Sequence, residues 1–222
     1  MVRSLANFFT GIMQRWMPDA FIFAIALTLV VMIAGVFADN SPTEMVRFWG
    51  DGVWNLLSFS MQVVLTLVTG SILAQTDLVR SILRTLASLA KTPGQAIVLM
   101  TVIACICFWL SWGFGLVGSA LMAREIARQI KGVHYPLLVA SAYSGMVIWH
   151  AGLSGTIPLK IAIDEGDALS ALMNGAFIPV SETIFSWPII AICLAMVVTM
   201  PLINYLMIPD EKETIEIDLD GE

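Results

Sequence analysis

Charge is what this sequence has least of. Only 13% of its 222 residues are Asp, Glu, Lys or Arg, about half of the ~25% usual in a soluble domain. Apolar residues make up 58% instead, which points to lipid rather than water as the solvent for much of the chain. Basic residues are scattered and the net charge is -6, so nucleic acid, which needs clustered Lys and Arg, is excluded as a partner. Cysteine occurs three times, at Cys105, Cys107 and Cys193, each inside an apolar stretch. An odd number of thiols in hydrocarbon is no disulfide framework. Cys105-Ile106-Cys107 has neither a histidine nor a third cysteine near it, so small apolar packing residues describe it better than a metal site. A secretory leader is not expected either. Arg15 and Asp19 interrupt the first 19 residues, and no long apolar core precedes a small-residue cleavage site.

What is present is a series of uncharged runs. A transmembrane helix needs about 20 apolar residues, and residues 20–38, 53–73, 135–158 and 183–208 each supply such a span. Residues 39–51 read as a polar loop, 164–167 as a return to water and 168–180 as a short interfacial or loop segment. Two further stretches are amphipathic and predict helices lying in the membrane interface. In residues 4–16, Leu5, Phe8, Phe9, Ile12 and Trp16 share a face; in 78–91, Arg80, Arg84 and Ser88 oppose Ile82, Leu83, Leu86 and Leu89. The last 13 residues carry seven acids, so 209–222 is expected to be a solvated tail on a single transmembrane domain, 1–208.

The run between Lys91 and Arg124 contains no charge. As one helix it would extend about 50 Å, against a hydrocarbon core of about 30 Å. Ser111-Trp112-Gly113-Phe114-Gly115 in its middle is a helix-breaking turn. The chain either crosses once and leaves an outer helix, or enters, turns near mid-membrane and returns. Arg80, Arg84 and Lys91 precede the run; Arg124, Arg128 and Lys131 follow it. Basic residues at both ends place both ends in the cytoplasm, which favours a re-entrant hairpin. With the amino terminus also inside, nine of the eleven Lys and Arg are cytoplasmic, and only Arg47 and Lys160 lie outside. The fold class expected is therefore all-α integral membrane, with four crossings, one of them discontinuous, and one re-entrant helical hairpin.

The discontinuous crossing is 135–158. It is helical in character up to Trp149, then reads His150-Ala151-Gly152-Leu153-Ser154-Gly155-Thr156, with Pro158 beyond. Unwound backbone at membrane depth is tolerated only where it is buried in protein or lines a cavity. Two broken elements in one small chain predict a transporter-like site, in which half-helix N-termini face an anionic group and freed carbonyls coordinate Na⁺. The candidate substrate- or ion-binding residues are Ser111, Trp112, Gly113, Gly115, His150, Ser154, Gly155 and Thr156, with Ser111, Gly113, Ser154 and Thr156 as possible Na⁺ contacts. Each of the Gly, Ser and Thr residues would also suit close helix packing. No charged side chain lies inside a span, so neutral donors and helix ends suit a small monoanion. His150 is the one titratable group at depth and a candidate for proton coupling, or simply a neutral imidazole bonded to a carbonyl. Trp109, Trp112 and Trp149 flank the breaks and would form a flat wall for a short acyl chain.

Several segments then occur in one order: Arg15-Trp16-Met17-Pro18-Asp19, the run from Phe48 to Leu57, Ala90-Lys91-Thr92-Pro93, Trp112-Gly113-Phe114-Gly115-Leu116-Val117, Ala123-Arg124-Glu125 and Leu153-Ser154-Gly155-Thr156-Ile157-Pro158-Leu159. As a set they resemble the bacterial short-chain fatty acid transporter family, within the wider ion transporter superfamily. That resemblance implies a bacterial inner-membrane, elevator-type carrier built of two inverted repeats. It implies a substrate such as butyrate or acetoacetate, a driving ion, Na⁺ or H⁺, no further cofactor, and a site between the hairpin tip and the broken span. Family members are about twice as long, so the chain resembles their amino-terminal half. A second membrane chain, or a second copy of this one, is then expected to supply the other repeat, unless the chain has been cut. His150 departs from the small residue expected there. Two other classes compete. Gly152-Leu153-Ser154-Gly155 matches the Gly-x-Ser-Gly of rhomboid intramembrane proteases, but those need a later His to activate the Ser, and none follows His150; the chain is not expected to be an enzyme. A structural membrane subunit with no site of its own is the other.

Overall fold

Helices occupy the apolar runs. A computed structural model describes residues 2–17, 19–162 and 177–217, and among them no strand occurs. Five helical segments are long and apolar enough to cross a membrane: Ala20–Phe37, Pro42–Ala74, Pro93–Leu110, Tyr135–Ile161 and Trp187–Leu206. Four correspond to the expected crossings. The fifth is the first arm of the expected hairpin. The expected return to water at 164–167, most of the 168–180 segment and the end of the acidic tail lie outside the described residues.

The chain divides into two units, Arg3–Thr66 and Leu67–Glu222. In the first, α1 (Val2–Trp16) exposes the apolar face read from the sequence, including Phe8 and Trp16. The Asp19 carboxylate accepts from the Phe21 N–H at 2.8 Å and so caps α2 (Ala20–Phe37). No residue of α2 is buried, and most of its apolar side chains are exposed, as suits a lipid-facing span. The third helix, α3 (Pro42–Ala74), corrects the expected loop at 39–51, because it starts eleven residues before Val53. The cause is local. The Ser41 hydroxyl accepts from the Glu44 N–H, while the Glu44 carboxylate accepts from the Ser41 N–H and O–H at 2.8 and 2.7 Å. This is a capping box, with Pro42 at the first helical position and an Arg47–Asp51 ion pair one turn on.

In the second unit, α4 (Asp77–Ala87) buries Leu83 and Ala87 and turns Arg80 and Arg84 outward. It leads to α5 (Pro93–Leu110), the centre of the core. Nine residues of α5 are buried, among them Met100, Thr101, Cys105 and Phe108, as expected of a helix apolar on every face. After α5 a single extended residue, Ser111 (φ -159°, ψ 125°), joins it to α6 (Trp112–Gln129). The two helices lie antiparallel. Near the joint Phe108 closes over Gly115, and at the far end the Gly132 α-carbon faces Pro93. Both open ends of this hairpin are therefore at the same end of the unit. At about 1.5 Å per residue the 18 residues of α5 reach about 27 Å.

The next span departs from α-helix before it is broken at 152–155, inside the stretch the sequence suggests. Helix α7 (Tyr135–Ser144) tightens at Gly145 into a 3-10 segment, Gly145–Ala151, before the short α8 (Thr156–Ile161). A Cβ on Gly145 would sit 2.6 Å from the Cys105 amide nitrogen and against the Ala104 backbone, so only glycine lets the two chains approach this closely. The last helix, α9 (Trp187–Leu206), packs along α5, and the chain leaving it returns to α7: the Tyr135 N–H donates to the Ile215 carbonyl at 2.8 Å, and the Ile215 N–H to His134 Nδ1 at 3.0 Å.

Two outcomes follow from this packing. Gly145→Ala places a methyl against rigid backbone and is expected to destabilise the chain by about 1–3 kcal/mol, read as a lower melting temperature of the purified protein in detergent. Single cysteines at Lys91 and Lys131, in a background without the native cysteines, are expected to react with an impermeant thiol reagent from one and the same side of the membrane. Labelling from opposite sides would mean that the hairpin ends are separated by the bilayer.

Candidate functional site

An α-helix begins with four N–H groups that no in-helix carbonyl can reach. For α6 these belong to Trp112, Gly113, Phe114 and Gly115. Ser111 meets two of them: its carbonyl accepts from Gly115 at 2.7 Å and its hydroxyl from Phe114 at 3.5 Å. Trp112 is met from 42 residues away, its N–H donating to Ser154 Oγ at 2.8 Å. Gly113 holds the one first-turn amide with no acceptor among the described residues.

Ser154 is itself held from both sides. Its carbonyl accepts from Trp149 Nε1 at 3.1 Å, and the preceding Leu153 N–H donates to the Trp109 carbonyl at 2.8 Å, at the end of α5. Gly152 lets this turn lie flat on α5, where a Cβ would overlap the Trp109 backbone. The hairpin tip and the broken span are thus brought together through two hydrogen bonds, one between backbones and one from backbone to the Ser154 side chain. Because Ser154 Oγ acts as acceptor toward Trp112, its own proton remains to be donated.

The expected residues do not all sit alike. Trp112 and Trp149 have ring centroids 5.9 Å apart, and the His150 imidazole stacks on Trp149 at 4.1 Å and is exposed. Trp112, Trp149 and His150 therefore form one continuous aromatic wall beside Ser154. Gly113 and Gly115 are buried inside the first turn of α6 rather than in a loop: Gly113 lies against Gly70 of α3 and Gly115 against Phe108. The break at the tip is Ser111 alone. Gly155 is buried behind the His150 carbonyl, and Thr156 opens α8, half-buried. No hydrogen bond joins His150 to Ser154 among the described residues, so the pair lacks the base–nucleophile contact of a serine hydrolase. Nor do three or more His, Cys, Asp or Glu side chains converge there on a possible metal site.

An apolar cavity of about 240 Å³ adjoins the turn. Trp109 and Ile148 form its near wall, and Ile184, Ile190, Cys193 and Leu194 lie around the rest. Deeper in the unit is a polar clasp that sequence reasoning missed. Asn204 of α9, 5% exposed, donates through Nδ2 to Thr101 Oγ1 on α5 at 3.0 Å and to Ser144 Oγ on α7 at 2.9 Å. The signal was available, since an amide inside an apolar span needs a partner.

Interrupted helices joined tip to turn, in a unit of apolar spans, define a polytopic helical membrane protein. The comparisons with known proteins agree. The short chain fatty acid transporter family profile matches residues 1–220, and the chain belongs to that family. A protein of Escherichia coli K12 named "Putative short-chain fatty acid transporter" is 42% identical over 219 residues, which is 98% of this chain and 49% of that protein. A protein of the same name from Haemophilus influenzae is 42% identical over 224 residues, covering 98% of this chain and 50% of its own length. The chain thus spans about half the length of these curated relatives. No solved structure matches it.

Asn204→Ala removes the only donor of the clasp and leaves Thr101 and Ser144 without it. A loss of about 1–3 kcal/mol in stability is expected, detected as a lower melting temperature, with Asn204→Gln recovering little because its longer amide has no room between α5 and α7.

Proposed function

We propose that the chain takes part in secondary active transport of short-chain fatty acids or similar small monocarboxylates, such as butyrate and acetoacetate. Transport is driven by Na⁺ or H⁺, and the protein is a multi-pass component of the bacterial inner membrane with its amino terminus in the cytoplasm. The observation that carries this reading is the junction of α6 and the broken span at Trp112 and Ser154. The α6 N-terminus, the left-over Gly113 amide and the Ser154 proton give a carboxylate neutral donors and partial positive charge. The aromatic wall and the apolar cavity beside Trp109 suit a short acyl chain. Ser111, Gly113, Ser154 and Thr156 remain the candidate Na⁺ contacts, and His150, exposed on the wall, the candidate proton carrier.

In this reading α5 and α6 form a re-entrant hairpin, and the chain, over 1–208, is one of two inverted repeats of an elevator-type carrier. The second repeat comes from another membrane chain or from a second copy. Support comes from the unit itself: the junction is only half-buried, and α9 presents Leu194, Val198 and Leu202 outward, which leaves one side of a site to be completed.

Uptake of radiolabelled butyrate into liposomes, with Na⁺ or pH gradients imposed in turn, tests the reading on the chain alone and with the membrane protein that co-purifies with it. Ser154→Ala is expected to weaken substrate binding by roughly 1–3 kcal/mol, and Ser154→Thr, which keeps an acceptor and a donor, to retain most of it. Equal butyrate affinity in Ser154→Ala protein that inserts and folds would remove Ser154 from the site. Absence of uptake under every gradient and partner would favour a structural subunit.

A further inference from the structure

Between α6 and α7 lies an apolar groove of about 250 Å³. Its floor is made of small side chains, Ser119 and Ala123 of α6 and Ala142 of α7, all buried. Leu116 and Ala120 from α6 and Val139 and Tyr143 from α7 form its rim and are exposed. We propose that this groove receives a transmembrane helix from the second half of the carrier, and that this helix presents a hydrogen-bond acceptor to Ser119. The assignment takes from the functional reading only that a second repeat completes the protein.

Ser119 sets this groove apart. It is 2% exposed, and its hydroxyl has no hydrogen-bond partner among the described residues. Other helical hydroxyls turn back to a carbonyl of the preceding turn: Thr28 to Ala24, Thr101 to Ile97, Ser144 to Ser141 and Thr199 to Ala195. Ser119 does not. A buried hydroxyl without an acceptor is unfavourable, so an acceptor has to be brought to it from elsewhere. Ser141 is also buried without a partner among the described residues, but it does not line the groove. Arg124 lines the groove and already has an interaction of its own; its charge is not called on.

A helix, rather than a lipid, fits what the groove offers. Along α6, Ser119 lies seven residues from Trp112 and ten from Gln129, about 10 and 15 Å from the two ends. Acyl chains at that depth carry no acceptor, and the polar groups of a lipid stay at the interface. Ser119 and Ala123 are four apart and share a face of α6. Small residues at that spacing let a second backbone come close enough for a hydroxyl to reach an oxygen across the contact. Chain length supplies the occupant. The chain spans about half the length of the curated relatives, so a similar length of polypeptide remains to be packed against it. The groove shares no residue with the Trp112–Ser154 junction.

Photo-crosslinking tests the assignment, with benzoylphenylalanine in place of Val139 on the rim, activated in the native membrane, and the adducts identified by mass spectrometry. The expected adduct joins position 139 to a membrane-spanning helix that is not part of residues 1–222. Ser119→Ala is expected to lower its yield about fivefold, the weight of one hydrogen bond. Ala120→Trp, which fills the groove from its exposed rim, is expected to abolish it. Both variants are expected to keep the melting temperature of the chain purified alone, since neither removes a hydrogen bond from it. Adducts with lipid only, or with a second copy of this chain, would overturn the proposal. So would an adduct whose yield neither variant changes. Butyrate uptake by the same membranes separates the two readings. The adduct without uptake keeps the docked helix and removes the substrate, whereas uptake without the adduct removes the docked helix alone.

Discussion

A helix that stops inside hydrocarbon exposes amides and carbonyls that no water can reach, and each one left unmet costs several kcal/mol. The second unit of this protein is organised around that constraint. Its two stops, at Ser111 and at 152–155, are placed so that each supplies what the other lacks. The turn gives α6 an acceptor through Ser154 Oγ, and the end of α5 gives the turn an acceptor through the Trp109 carbonyl. Neither break would be tolerable alone. Together they leave a small set of donors at a place where apolar and aromatic side chains already form the walls.

The rest of the unit holds that pair in register. Helix α5 buries half of its residues, and its neighbours reach it by different means: α6 through Phe108 and Gly115, the 3-10 segment through the backbone contact at Gly145, and α9 through the amide of Asn204. The Asn204 clasp is the more specific of these, because a hydrogen bond inside an apolar core fixes one relative height of three helices, whereas apolar packing alone permits sliding. Its Thr101 acceptor lies on α5, whose far end meets the turn.

Much of this was legible in the sequence, and the reasons differ by element. The spans could be read because charge is excluded from them. The antiparallel placement of α5 and α6 could be anticipated from Lys91 at one end and Arg124, Arg128 and Lys131 at the other. The pairing of Ser111–Gly115 with His150–Thr156 was anticipated from the helix breakers alone. What escaped was set by tertiary contact or by short-range capping. The early start of α3 depends on Ser41 and Glu44 acting as a unit inside a stretch whose composition looks like loop. The span tightens from α-helix to 3-10 helix already at Gly145, where α5 backbone lies against that glycine, before it stops at 152–155. Ser154 was expected as a substrate or Na⁺ contact; that its oxygen also accepts from the Trp112 amide, a partner 42 residues away, no local pattern could indicate.

The joint between α5 and α6 has a mechanical consequence. One extended residue separates two 18-residue helices, which leaves only the two backbone torsions of Ser111 between them, and the Gly115 N–H bond back to Ser111 and the Phe108 contact hold those torsions fixed. Such an elbow has no slack. The arms cannot scissor apart at the tip, and the non-helical backbone of the hairpin lies at its root, in 88–92 and 130–134. The hairpin is one stiff arm whose root lies about 27 Å from its tip.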